Sequence, residues 1–596
     1  MFPLLASLAG KPVVCFKNRR NPLKVREDQS MKYARLIVAA FVSLAPFSQT
    51  NIFAQDHNAA GGHVHYKAPP EESVSPTGAL APRLQKLGDH TFPVSTKNRQ
   101  AQLFMNQGLN LSYAFNHAEA GRAYREAARL DPNLAIAYWG EALALGPNIN
   151  APMDPASEPK ALEVIQKAVA LKSKASPREQ ALIEALTHRY SGRAEDRKAR
   201  DVAYADAMRK VHLQFPNDQD ISMLYVESVM DLRPWGYWTR DGTPYDRTTE
   251  IVKLTEEVIA QNPRHPGALH LYVHLMEAYE PFKAEAAADR LQTLMPAAGH
   301  MVHMPAHIFQ RVGRYADAAR SNELAIAADE DYIAQCNAQG LYPMAYYPHN
   351  LHFLWFAATA DGRSKLAIEA ARKTASRVDD ATLKAVPLLA GFRVVPYFAL
   401  TRFGKWDEML AEPEPPDSSA YLLGQWHYNR GTAFLGKGQV SEAEQEFAKL
   451  QTLMSDKSLD QPLFSPNTGR AILSIAQEVL GGEIAAAKKD YDQAVAHLER
   501  AVRLEDALVY TEPAEFHYPP RLALGAVLLA AGHAPEAETV YWEDLRRNRE
   551  NGWALYGLMQ ALKAQGKNED AALVEARFKK AWARADVTLT ASRFGK

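Results

Sequence analysis

The stretch Ala101–Asn133, AQLFMNQGLNLSYAFNHAEAGRAYREAARLDPN, decides the fold. Its apolar residues recur at helical spacing, with a small residue at Gly108, then Ala120, Tyr124 and Ala127, and a closing Pro132. The same texture returns in AIAYWGEALAL, GRYADAARSNELAIAAD, GQVSEAEQEFAKL, KKDYDQAVAHLERAVRLED, HAPEAETVYWEDL and ALYGLMQALKAQGKNEDAALVEARF. Each copy is a helix hairpin that cannot bury its apolar face alone, so neighbours must stack. The spacing is irregular because insertions intervene, among them GPNINAPMDPASEP (146–159) and DLRPWGYWTRDGTPYDR (231–247).

The positions of Gly108, Ala120, Tyr124, Ala127 and Pro132 resemble the packing residues and closing proline of the tetratricopeptide repeat. That resemblance implies an all-α, right-handed solenoid of about eight or nine helix pairs over residues 91–596, its concave groove lined mainly by the first helix of each pair. It also implies a binding surface, most often one for a peptide segment of a partner protein. The phrases YAFNHAEA, AYWGEALALGPNIN, GHMVHMPAHI and YYPHNLHF resemble those of exported bacterial tetratricopeptide-repeat proteins, to which no reaction is attached.

The region before the repeats reads differently. Residues 1–54 are expected to be a leader and export signal starting in effect at Met31: MKYAR is basic, LIVAAFVSLAPF apolar, and Ala54 a cleavage point. The apolar run is shorter than the roughly 20 residues of a membrane span, so no stable span is expected, and the product would be periplasmic or secreted. Residues 55–90, rich in Gly, Pro, Ser and His, read as a flexible linker. Of 68 Lys/Arg and 69 Asp/Glu, the leader takes eight and two, leaving 60 and 67, a charge of −7. That balance argues against nucleic acid or an anionic membrane as partner. Cys15 goes with the leader and Cys336 stands alone, so packing rather than a disulfide must hold the fold.

The chemistry lies in the histidines: of 19 in the chain, eight fall between His265 and His352. His300 and His303 precede Gly313-Arg314 with the same spacing as His349 and His352 precede Gly362-Arg363, so the two pairs occupy equivalent places in successive repeats. His270 and His274 lie 33 residues before His303 and His307, close to one repeat length. On a helix His300, His303 and His307 fall within about 60° of one another, and His270 and His274 within about 40°. Packed helices lie roughly 8–10 Å apart, so matching stripes can aim their ring nitrogens at a shared point.

Imidazole suits copper, iron and zinc, and three or four ligands suffice for one ion. Seven histidines exceed that, which implies two ions or one ion with supporting histidines. His270, His274, His303, His307 and His352 are the expected ligands; His300 and His349, nearer the helix starts, are expected as ligands or supports. Met276, Met301 and Met304 in the same segments favour Cu(I), whereas Glu277 and Glu280 favour harder ions. The metal therefore stays open among copper, iron and zinc. The alternative reading makes the histidines hydrogen-bonded packing residues, or the lining of a groove for an anionic or peptide ligand with Glu277, Arg311, Tyr346, Tyr347 and Asn350.

Other signals are weaker. GTAFLGKG (431–438) has Gly438 where a phosphate loop needs Ser or Thr, and no strand precedes it. The metalloprotease H-E-x-x-H and the hydrolase G-x-S-x-G are absent. His57, with His63 and His65 nearby, would form a copper-binding terminus after cleavage, or a solvated tail. His117 reads as a capping or packing residue. VYTEPAEFHYPPR (509–521), with Tyr510, Glu512, His517 and Tyr518, and PWGYW (234–238) either border the groove or pack irregular turns.

The sequence thus leads to an exported repeat protein that binds through a histidine-rich, transition-metal groove, with a protein, a peptide or a small substrate as partner. The rival readings are a metal-dependent oxidoreductase or hydrolase at the same residues, whose catalytic groups stay unknown, and a metal-free envelope scaffold.

Overall fold

A computed structural model describes residues 78–336, 342–415, 419–463 and 467–593. The expected leader and the histidines at 57, 63 and 65 lie outside the described residues. Within them the architecture is all helical, with no strand beyond three isolated bridges in loops. None of these helices is long and apolar enough to cross a membrane.

The founding hairpin is Arg99–Tyr113 followed by His117–Leu130. Asn98 caps the first helix by accepting from the backbone N–H of Gln100 and Ala101, and Asn116 caps the second by accepting from Glu119. Between them Phe115 adopts a left-handed backbone at φ 55°. Tyr124, fully buried, wedges between two glycines: a Cβ on Gly108 would lie 2.5 Å from its ring and one on Gly140 2.4 Å. The arrangement repeats near the C-terminus, where Tyr541 packs against Gly525 and Gly557 at 2.4 and 2.2 Å from the equivalent built atoms. Small residues at these positions let each tyrosine fill the seam between one hairpin and the next, as close packing requires.

Helix pairs follow one another in this manner to Gly552–Ala564 and Asn568–Ala581, forming one tetratricopeptide-type solenoid. They include a short pair that matches no repeat phrase, Val395–Arg402 with Trp406–Ala411. Residues 78–90, placed by composition in the linker, are packed: Ala81 and Leu87 are buried, the Leu80 N–H donates to Glu126 at 2.9 Å, and Arg83 donates to Gln107 at 2.9 Å.

The superhelix is tight enough for distant repeats to touch. Trp553 Nε1 donates to the Thr359 carbonyl at 3.0 Å, the Ser364 N–H donates to Asp586 at 2.7 Å, and Gly313, at φ 85°, abuts the Arg549 backbone. Tyr332 donates to Asn116 at 3.2 Å, 216 residues away. The first helices of the middle repeats are thereby covered from both ends of the chain. The segment between Ala507 and Pro520 lies against them, with Tyr510 on the Glu277 carbonyl, Glu512 on His307 and His517 beside His352.

Candidate metal centre

Three helices bring the histidines together: Pro266–Met276, the broken helix Gly299–His303 and Pro305–Val312, and Tyr347–Ala360. His270, His274 and His300 form one triad, and His303, His307 and His349 form a second; in each, one nitrogen per ring lies within 4.8 Å of the others. The middle helix serves both neighbours, since His300 turns to the preceding helix while His303 and His307 turn to the following one. The two triads adjoin, with the His300 and His303 ring centres 6.1 Å apart and those of His274 and His307 6.3 Å apart. Phe115 packs over the first triad, 4.5 Å from His270, and Phe353 over the second, 4.6 Å from His307.

The tautomers are fixed by what the outer ring nitrogens meet. His270 Nδ1 lies 2.6 Å from the Tyr113 carbonyl, which can only accept, so Nδ1 carries the hydrogen and Nε2 a lone pair. Asn322 donates Nδ2 to the Ala318 carbonyl at 2.8 Å, which turns its Oδ1 toward His303 Nδ1 at 2.7 Å and leaves His303 Nε2 as a lone pair. His274 Nδ1 faces Glu277 at 3.3 Å; His307 Nδ1 faces Glu512 at 2.6 Å and Glu277 at 3.2 Å. The inner nitrogens then meet in pairs, His270 Nε2 with His274 Nε2 at 3.1 Å and His303 Nε2 with His307 Nε2 at 2.9 Å. Two imidazole lone pairs at such separations repel unless a cation, a proton or a metal ion, is shared between them. His300 adds to this: both its ring nitrogens are buried with no hydrogen-bond partner among the described residues, an expensive state for a polar group with no ligand.

The electrostatics divide the triads. Burial, reinforced by neighbouring histidines, pushes His270, His300, His303 and His349 well below the usual imidazole range, so they are neutral at pH 7. Burial also opposes a charge on His307, but Glu277 and Glu512 beside it win and push it up to about 10. Burial would raise Glu277, yet His274 and His307 hold it below the usual carboxylate range, while burial drives Glu512 upward. Glu277 thus spans the triads, one oxygen on a histidine of each.

Other expected site residues fall elsewhere. His352 belongs to neither triad; its ring lies parallel to Trp355 at 5.4 Å and 6°, and 5.3 Å from His517 in an aromatic surround. His349, about 60° away on the same helix, meets His303 and His307 instead. Tyr347 donates to Glu330 and Asn350 to Asp329, each at 2.7 Å, so both brace neighbouring helices instead of lining the site. Tyr346 does meet it, edge-on to His300 at 4.9 Å. Arg311 donates to the Glu277 carbonyl at 3.2 Å. The buried Met276, Met301 and Met304 belong to the apolar core. His117, half-buried and pushed down to about 4 by desolvation, lies 3.3 Å from the Gly146 carbonyl in the turn.

Three contributors carry no signal of their own in the sequence: the Tyr113 carbonyl, Asn322 and Phe353. Glu512 sits in a phrase already notable for Tyr510 and His517. A further group was not anticipated. Asp220 meets His90 at 2.9 Å and His265 at 3.4 Å and accepts from Tyr113 at 2.8 Å. His265 Nδ1 caps the Pro266–Met276 helix by accepting from Ala268, so its hydrogen faces Asp220. These contacts satisfy the carboxylate and fix Tyr113, whose carbonyl orients His270.

No family model matches the chain, and no curated protein sequence does. Among solved structures it is similar to human IFIT1 as a dimer with m7Gppp-AAAA, at 13% identity and a TM-score of 0.31, over 81% of this chain and 95% of that one. The human IFIT1 dimer with PPP-AAAA gives 14% identity and a TM-score of 0.29 over the same shares. Likeness at that level carries no argument about function, which must come from the residues of the site.

Proposed function

We propose that this chain is an exported binding protein that holds two transition-metal ions side by side, one in His270, His274 and His300 and one in His303, His307 and His349. The observation that carries the proposal is the pair of inner Nε2 contacts at 3.1 and 2.9 Å, with the outer hydrogens of His270 and His303 fixed by the Tyr113 carbonyl and Asn322. An acceptor on the outer nitrogen that orients the inner one is the usual support of a metal-bound imidazole. Neutral imidazoles without a thiolate suit copper, iron or zinc, and among these copper binds such sets most tightly.

Elemental analysis of protein purified from the cell envelope without chelators tests the proposal. Two equivalents of one such metal, falling to one or fewer in His303→Ala, are expected. Protein that carries no metal and takes none up would make the histidines packing residues and leave a metal-free scaffold. A second reading, a metal-dependent enzyme, is favoured by the ligand count: three histidines per ion leave a tetrahedral position open for water or substrate. With the segment bearing Glu512 lying against His307, that reading takes a small substrate in preference to a peptide.

A further inference from the structure

The solvent side of the centre is built by residues just beyond the two triads. Arg311 stands one helical turn after His307 and donates Nε to the Glu277 carbonyl at 3.2 Å and Nη2 to the Ala278 carbonyl at 3.4 Å. Its guanidinium lies 5.2 Å from the centre of the Tyr510 ring, and the Tyr510 hydroxyl donates to the same Glu277 carbonyl at 3.3 Å. No carboxylate pairs with Arg311 among the described residues, whereas Arg314, three residues on, holds Glu285, Asp289 and Asp317. Tyr510 is the ring against Arg311, and Tyr279 follows in sequence the Ala278 whose carbonyl Arg311 meets. Tyr279 is 44% exposed and stacks on Trp238 at 5.3 Å, and Tyr510 is 39% exposed.

An arginine with no ion pair among the described residues, packed on an exposed tyrosine one turn from a candidate ligand histidine, is a recognition surface for a ligand with complementary halves. A guanidinium fork matches a carboxylate, and such charge-assisted contacts are roughly twice as strong as neutral ones. We propose that this rim binds a small aromatic carboxylate, its anion on Arg311, its ring against Tyr510 and Tyr279, and its remaining edge turned toward the histidine triads. The inference deepens the metal-centre reading, which supplies only what the ligand would be presented to.

Benzoate and its neutral isostere benzamide separate the two halves. Both are titrated calorimetrically into the full chain, metal-loaded and metal-stripped. Benzoate is expected to bind at least tenfold more tightly than benzamide in both states, and Arg311→Met to lower benzoate to the benzamide level. Arg311→Lys, which keeps the charge, is expected to retain the preference and guards against a misfolded methionine variant. Equal binding of the two ligands, or benzoate binding untouched by Arg311→Met, overturns the proposal. Benzoate binding that needs metal and ignores Arg311 assigns the anion to the ion, overturning the rim while leaving the metal reading intact. Arg311-dependent binding to protein that takes up no metal supports the rim and overturns the metal reading alone.

Discussion

The two metal positions are expected to fill unequally, because His307 of the second must first lose a proton. His270 and His300 are pushed down by burial and carry none at pH 7, whereas Glu277 and Glu512 hold His307 up at about 10. A metal-bound imidazole must give its inner nitrogen to the ion, so an ion entering the second triad displaces the His307 proton. At pH 7 that competition costs about three powers of ten, about 4 kcal/mol, at 1.36 kcal/mol per pH unit. The sign follows: apparent affinity for the second ion rises about tenfold for each pH unit up to the His307 value, and one proton is released. Stripped protein titrated with Zn(II) against a competing chelator at pH 6, 7 and 8 gives both affinities. Calorimetry in buffers of different ionisation enthalpy counts the protons. The second equivalent should tighten about a hundredfold between pH 6 and 8, and the first far less. Glu512→Gln, removing a carboxylate that holds the proton, should flatten the slope. Two ions with the same pH dependence, or a second equivalent indifferent to pH, would refute the reasoning about His307.

Three further outcomes are expected. Asn322→Leu removes the acceptor that fixes the His303 tautomer; it should weaken the second ion about 10–100-fold in the chelator titration, with the first ion changed little. Gly108→Ala places a methyl 2.5 Å from the wedged Tyr124 ring and should destabilise the fold by about 1–3 kcal/mol, read as a lower Tm with metal content per folded molecule unchanged. Asp544 is fully buried, and that burial raises it from 3.8 to about 6, so the native state binds its proton more tightly than the unfolded chain. Its contribution to stability is largest below 3.8 and declines as pH rises to about 6, by at most about 3 kcal/mol. Asp544→Asn should lessen the fall in stability between pH 4 and 6 relative to wild type; parallel profiles would show that burial of Asp544 has no such effect.

The repeating pattern determined most of the helix pairs and the histidine stripes, but not short pairs such as Val395–Arg402 with Trp406–Ala411. Gly108 and Tyr124 could be read as seam residues because a helix hairpin has few ways to pack on its neighbour. His270 with His274 and His303 with His307 had to meet, since positions four apart share a helix face. Which stripe shares an ion with which was a different matter. Equivalent repeat positions put His300 beside His349 and His303 beside His352, yet the structure gives His300 to the preceding helix and His352 to an aromatic surround with His517. That sorting depends on how far each helix is rotated and slid against the next, which a period does not specify. Glu512 shows the same limit more strongly: it reaches His307 from 205 residues away, on a segment without helical period. Only closure of the superhelix brings it there, and with it the charge that sets the two triads apart.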